Sequence, residues 1–110
     1  MTHPDIPEQP ASALPADAVI LDVREPDEWA AGHIESAVHI PIGAVTRRLS
    51  DVPHGNPLYV ICRSGVRSAR VAEFLRAQGI DALNVAAGMQ EWAAAGRTMV
   101  SDTGRAPEVI

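Results

Sequence analysis

Four short apolar runs recur along the chain: Ala18-Val19-Ile20-Leu21, Ala37-Val38-His39-Ile40, Leu58-Tyr59-Val60-Ile61 and Leu83-Asn84-Val85. Runs of this length, rich in β-branched residues, suit strands buried on both faces. What separates them is helical in pattern. Glu25 to Gly32 predicts a short helix, with Pro26 in the first turn, Asp27 and Glu28 beside it and a glycine at the end. Pro41 opens a second predicted helix with Ile42, Val45 and Leu49 on one face and Arg47 and Arg48 towards its end. Val66 to Gln78 is a third, with Val71, Phe74 and Leu75 at core spacing and Gly79 as its cap. Met89 to Ala95 is the last. Strands joined by connections too long for hairpins pair in parallel. The pattern therefore predicts an α/β domain of three layers, a central mostly parallel sheet flanked by helices.

The 110 residues suffice for one domain. Pro4, Pro7, Pro10 and Pro15 make residues 1–16 an extended lead-in with room for a short edge strand. Residues 17–97 are expected to form the domain, and residues 98–110 read as a tail without period. The N-terminus has no basic segment followed by an apolar one, and the longest apolar run, Leu58 to Cys62, is far short of a membrane span. The expectation is a cytoplasmic protein with no membrane partner. A net charge of −5 argues against a nucleic-acid partner. All nine basic residues are arginines, so a lysine-bearing phosphate loop and lysine Schiff-base chemistry are excluded. Cys62 is the one cysteine, which rules out an intramolecular disulfide and a multi-cysteine zinc site.

In parallel sheets, ligands bind beyond the carboxyl ends of the strands. Cys62 stands at such an end, directly after Leu58–Ile61, and opens the loop Cys62-Arg63-Ser64-Gly65-Val66-Arg67-Ser68. Arg63, Ser64, Gly65 and Ser68 are poor core material, and Gly65 lets the backbone curl so that successive N–H groups converge. Strand, loop and helix N-terminus together predict a cup of donors around the sulfur, which favours a thiolate. Arginines are disfavoured at helix N-termini, yet Arg63, Arg67 and Arg70 crowd this one. Arg70 fits a solvated face. For Arg63 and Arg67 the simpler account is an anion in the cup: the thiolate, its modified form or an anionic substrate.

The loop Cys-Arg-Ser-Gly-Val-Arg-Ser resembles the active-site loop of the rhodanese family of sulfurtransferases. Two further segments are similar to that family: Leu21-Asp22-Val23-Arg24-Glu25-Pro26-Asp27-Glu28-Trp29 with Gly32-His33-Ile34, and Asn84-Val85-Ala86-Ala87-Gly88-Met89 with Trp92. The resemblance spans roughly residues 18 to 96 and implies the rhodanese-like fold. It implies that Cys62 accepts a sulfane sulfur, commonly from thiosulfate, and passes it to cyanide or a thiol. Backbone N–H groups from Arg63 to Ser68 would hold the persulfide, Arg63 and Arg67 would attract the donor, and Asp22 and Arg24 would brace the loop. Two positions depart from the family pattern. Glu35-Ser36 replace a usual Pro-Gly, and Ala87 stands where a Gly-Gly pair is usual. If residue 87 takes a positive φ, alanine there costs on the order of 1 kcal/mol.

The chemistry inferred from the residues agrees. Thiolate attack on a sulfur–sulfur bond needs no metal or organic cofactor. With no second cysteine, the persulfide must pass to an outside thiol or protein acceptor. His33 reads as a structural hydrogen-bonding residue rather than a general base, and Trp29 and Trp92 as packing residues. His3, His39 and His54 lack metal-ligand spacing. Two rivals stand beside the sulfurtransferase. A cysteine-dependent phosphatase or arsenate reductase would use a Cys-x5-Arg loop, but here residue 68 is serine and the arginine comes one position early. A non-turnover persulfide carrier or binding module would need the same reactive cysteine and is not separated from an enzyme by sequence.

Overall fold

The computed structural model describes residues 6–110; His3, Pro4 and the rest of the first five lie outside the described residues. Five strands form one sheet: β1 (Glu8–Pro10), β2 (Val19–Asp22), β3 (Val38–His39), β4 (Leu58–Ile61) and β5 (Ala82–Ala86). Their order across the sheet is β1-β5-β4-β2-β3, and every neighbouring pair is parallel. The helices are α1 (Pro26–Ala31), α2 (Val66–Ala77) and α3 (Gly88–Ala94). β1 lies within the proline-rich lead-in, at the sheet edge, where Pro10 leaves no inner ladder bond unmade.

β4 is central and buried at all four positions. Its alternation divides the core in two. Leu58 and Val60 join Leu21, Val71, Ala72 and Leu75 on the α2 side, whereas Tyr59 and Ile61 join Ile20, Val85, Met89 and Trp92 on the α3 side. On α2, Ser68, Val71, Ala72 and Leu75 fall on one buried stripe at helical spacing. Two apolar faces covered by helices give the three layers expected for a parallel sheet.

The predicted helix after Pro41 is corrected. The segment makes two isolated single turns, Ile42–Ala44 and Leu49–Asp51, with a non-helical backbone at Arg48. Ala44, Val45 and Arg48 donate to the Pro41, Ile42 and Ala44 carbonyls, so the chain begins to turn helically, but Arg48 leaves helical values at φ −112° and ψ 29°. Gly43 and the β-branched Val45-Thr46 add little helical preference to carry one continuous helix through the segment. Val45 is nevertheless buried and Ile42 and Leu49 pack against the core, so the apolar spacing serves the same face without a continuous helix.

Residues 97–110 form no regular element, but they are tied down. Val100 exchanges backbone hydrogen bonds with His33, Asp102 donates to Ala30 and Glu108 donates to Ala31. Gly32 admits this crossing, since a Cβ there would lie 2.4 Å from the Glu108 carbonyl oxygen. Among the described residues, no helix is long and apolar enough to cross a membrane.

Candidate active site

Parallel pairing brings the carboxyl ends of β2, β4 and β5 to one edge of the sheet, and with them Asp22, Cys62 and Ala86-Ala87-Gly88. Cys62 is 1% exposed. Gly65, at φ 103°, turns the chain back so that its N–H lies 3.1 Å from the Cys62 sulfur. The Ser68 N–H follows at 3.4 Å, and the Ser68 hydroxyl lies 3.2 Å from the same atom. The predicted cup is thus built from Gly65 and Ser68, at the turn and first helical turn of α2. Arg63, Ser64 and Val66 lie on its exposed outer side, and Arg67 is half-buried.

The other face of the loop is held by α3. Met89 and Gln90 donate their N–H groups to the carbonyls of Cys62 and Arg63, at 2.9 and 3.0 Å. This crossing requires a close approach at Gly88, where a Cβ would sit 2.2 Å from the Cys62 carbonyl oxygen. To reach it, Ala87 adopts φ 60° and ψ −2°, the left-handed conformation raised by its departure from the family pattern.

The two loop arginines find partners other than an anion in the cup. Arg67 makes a bidentate ion pair with Glu28 of α1, at 2.7 and 2.9 Å. The same carboxylate accepts from the Glu25 N–H and closes a reciprocal capping box at the start of α1. The Arg67 guanidinium, despite partial burial, holds the Glu28 carboxyl down to about 2. Glu28 in turn holds Arg67 more firmly protonated. Arg63 donates from Nε to the Ile110 carbonyl, at 2.9 Å. Arg70 is exposed and has no ion-pair partner among the described residues, consistent with a solvated face.

Asp22 and Arg24 form a fully buried ion pair at 2.7 Å. Arg24 also donates to the Glu28 and Gly32 carbonyls, at 3.3 and 2.8 Å, so its charge is paired and its donors are used. These two residues hold α1, and α1 presents Glu28 to Arg67; that chain of contacts, rather than direct bonds to the cup, links them to the loop. His33 donates from Nδ1 to the Trp29 carbonyl, at 2.7 Å, and its ring stacks on Trp29 at 3.6 Å. His39 stacks on Trp29 at 4.8 Å and donates to the Arg24 carbonyl. Both histidines hold α1 and β3 in place.

Residues 7–95 match the sequence profile of the rhodanese-like domain. The chain belongs to this family. A sulfurtransferase of Allochromatium vinosum is 34% identical over 89 residues, covering 80% of this chain and 83% of that protein. A Bacillus subtilis protein provisionally named a sulfur carrier, YrkF, is 42% identical over 74 residues; the match takes in 66% of this chain but only 40% of that longer protein. The crystal structure of a rhodanese-like domain protein from Staphylococcus aureus superposes with a TM-score of 0.72 at 31% identity, over 94% of this chain and 99% of that one. The rhodanese-like fold is therefore confirmed in both sequence and shape.

Sequence reasoning singled out the whole loop but assigned no role to Glu28, Glu8 or Asn84. Asn84 is 1% exposed in the middle of β5. Its side chain donates to the Glu8 carboxylate and the Gly65 carbonyl, at 2.7 and 3.1 Å, and its Oδ1 lies 2.6 Å from the Ser68 hydroxyl. A polar residue inside an apolar strand was the available signal.

Proposed function

We propose that this rhodanese-like domain is a sulfurtransferase that moves a sulfane sulfur from a small anionic donor, thiosulfate being the test case, to an external thiol or cyanide. The observation that carries this reading is the Cys62 sulfur itself, met by two backbone N–H groups at the end of a central strand. Such donors favour negative charge on the sulfur. The Cys62 thiolate attacks the outer sulfur of thiosulfate, and the sulfur–sulfur bond breaks with its electron pair leaving on sulfite. An acceptor thiolate or cyanide then attacks the outer sulfur of the Cys62 persulfide, returning Cys62 as thiolate. Nothing in this exchange calls for a metal or organic cofactor.

The residues take distinct parts in it. Arg63, exposed at the loop's edge, draws in the anionic donor. Backbone N–H groups of Ser64, Gly65, Val66, Arg67 and Ser68 receive the persulfide, while the Arg67–Glu28 pair fixes the loop against α1. Asp22, Arg24 and His33 support that helix. With Ser68 six positions after Cys62, the loop offers sulfur a hydroxyl where a phosphatase would offer a phosphate an arginine. A reducing cytoplasmic setting suits the single thiol.

Incubation with thiosulfate followed by intact-mass measurement is expected to add one sulfur atom, removable by cyanide and absent in Cys62→Ser. An adduct that survives the substitution, or no adduct at all, defeats the reading. The provisional name of the sulfur-carrier relative favours a second reading, a domain that hands its persulfide to one protein partner. Turnover with several small thiols supports the enzyme; transfer confined to one protein supports the carrier.

A further inference from the structure

The hydrogen-bond arithmetic behind Cys62 does not close without a choice. Ser68 has one hydroxyl proton. Two acceptors lie within its reach, Asn84 Oδ1 at 2.6 Å and the Cys62 sulfur at 3.2 Å. The orientation of the Asn84 amide is settled by its other neighbours. Nδ2 faces the Glu8 carboxylate and the Gly65 carbonyl, neither of which can donate, so both of its hydrogens are used there. Oδ1 therefore faces Ser68 and can only accept. The 2.6 Å contact requires the Ser68 proton, which leaves a hydroxyl lone pair pointing at the sulfur.

That arrangement suits a thiol, whose S–H donates to Ser68. It does not suit a thiolate. Once the sulfur has lost its proton, the Ser68 hydroxyl must rotate to donate to it, and Asn84 Oδ1, at a site 1% exposed, loses its donor. We propose that Asn84 is a positioning residue that holds the Ser68 proton away from the Cys62 sulfur, and that Glu8 fixes the amide orientation in which it does so. The proposal rests on the reading of Cys62 as the nucleophile. It gives Ser68 a two-position switch: proton towards Asn84 while Cys62 is a thiol, towards the sulfur while it is a thiolate. In the persulfide the charge moves to the outer sulfur, and the proton returns to Asn84. The edge strand β1, through Glu8, thereby reaches the centre of the site.

The test is the rate of Cys62 alkylation by iodoacetamide, followed from pH 6 to 9, which needs no sulfur donor. The charged group facing the sulfur is Arg67, paired with Glu28, with Glu8 behind Asn84; Arg63 lies on the outer side of the loop, bonded to Ile110. The comparison leaves both arginines and Glu28 unchanged. In Asn84→Ala the sulfur is the hydroxyl's sole acceptor of the pair. Alkylation near pH 7 is expected to rise about 3- to 10-fold, the range one hydrogen bond commands, with the pH profile displaced towards acid. Adding Ser68→Ala to Asn84→Ala should erase the rise. Glu8→Ala should give a smaller rise of about twofold, and Glu8→Gln, which keeps a carbonyl for Nδ2, should reverse it. A merely structural Asn84 would lower the melting temperature without speeding alkylation. A rate in Asn84→Ala at or below wild type, or a rise that persists without Ser68, overturns the proposal. Should Asn84→Ala fail to fold, equal rates for Glu8→Ala and Glu8→Gln overturn it instead. Wild-type sulfur uptake from thiosulfate, measured alongside, fails separately if the proposed function is wrong.

Discussion

Replacing Ala87 with glycine should stabilise this domain, an unusual direction for a substitution beside a candidate active site. Ala87 is held at φ 60° and ψ −2° so that Gly88 can pass beneath the Cys62 carbonyl. An L-residue in the left-handed region costs roughly 1–2 kcal/mol from contact between Cβ and the carbonyl. Glycine removes that cost but adds roughly 0.5–1 kcal/mol of unfolded-state entropy. The Ala87 methyl is exposed, so no packing is lost. Taken at mid-range, the balance is a gain of about 0.75 kcal/mol, which for a domain of this size raises the melting temperature by roughly 3–6 °C. Urea unfolding should show a higher midpoint at unchanged m-value. A midpoint equal to or below wild type would refute the strain argument. The neighbouring position supplies the control, because Gly88→Ala places a Cβ 2.2 Å from the Cys62 oxygen and 2.8 Å from the Arg63 oxygen. Both obstacles are backbone, so α3 must move off the loop, at an expected loss of about 3 kcal/mol or more.

Three further outcomes are expected. The Glu28 carboxyl is depressed from 4.5 to about 2, so its stabilisation is fully present above pH 4.5 and lost as the pH falls towards 2. With Arg67 partly open to solvent, about 1–2 kcal/mol is a reasonable size, and Glu28→Gln should flatten the difference between urea midpoints at pH 5 and pH 3. Removing one member of the buried Asp22–Arg24 pair, as in Arg24→Met, strands a carboxylate and should cost about 3–5 kcal/mol in thermal or urea unfolding. In Arg63→Ala, KM for thiosulfate should rise about 5- to 10-fold with kcat within about twofold, since the side chain is proposed to attract donor rather than to touch the reacting sulfur; an unchanged KM removes Arg63 from that role.

The parts of the fold legible in sequence are those where local pattern and tertiary demand coincide. β4 and α2 satisfy both an apolar period and a buried environment, and the loop between them follows from their junction. The segment after Pro41 differs because its apolar spacing fits a helix equally well, while Gly43, Val45 and Thr46 give little backbone preference to sustain one past the break at Arg48. Charge balance was harder still. Arg67 looked anomalous at a helix N-terminus because its counterion, Glu28, lies 39 positions away. Asn84 carried the faint mark of a polar residue in an apolar strand, but its three partners come from β1, the loop and α2. Ala87 was different: a missing glycine in an otherwise matched motif pointed straight to a backbone requirement.

The two hydrogen bonds from the start of α3 to the Cys62 and Arg63 carbonyls have a dielectric consequence. They anchor the peptide oxygens beside the sulfur to another element, while the Gly65 and Ser68 N–H groups meet the sulfur itself. Water around a bare thiolate must reorient each time charge appears or moves by one atom. Here the backbone dipoles are already aligned and held by the chain, so only the Ser68 hydroxyl turns as the charge appears or moves. The reorganisation that accompanies the shift of charge from one sulfur to the next is confined to that one hydroxyl.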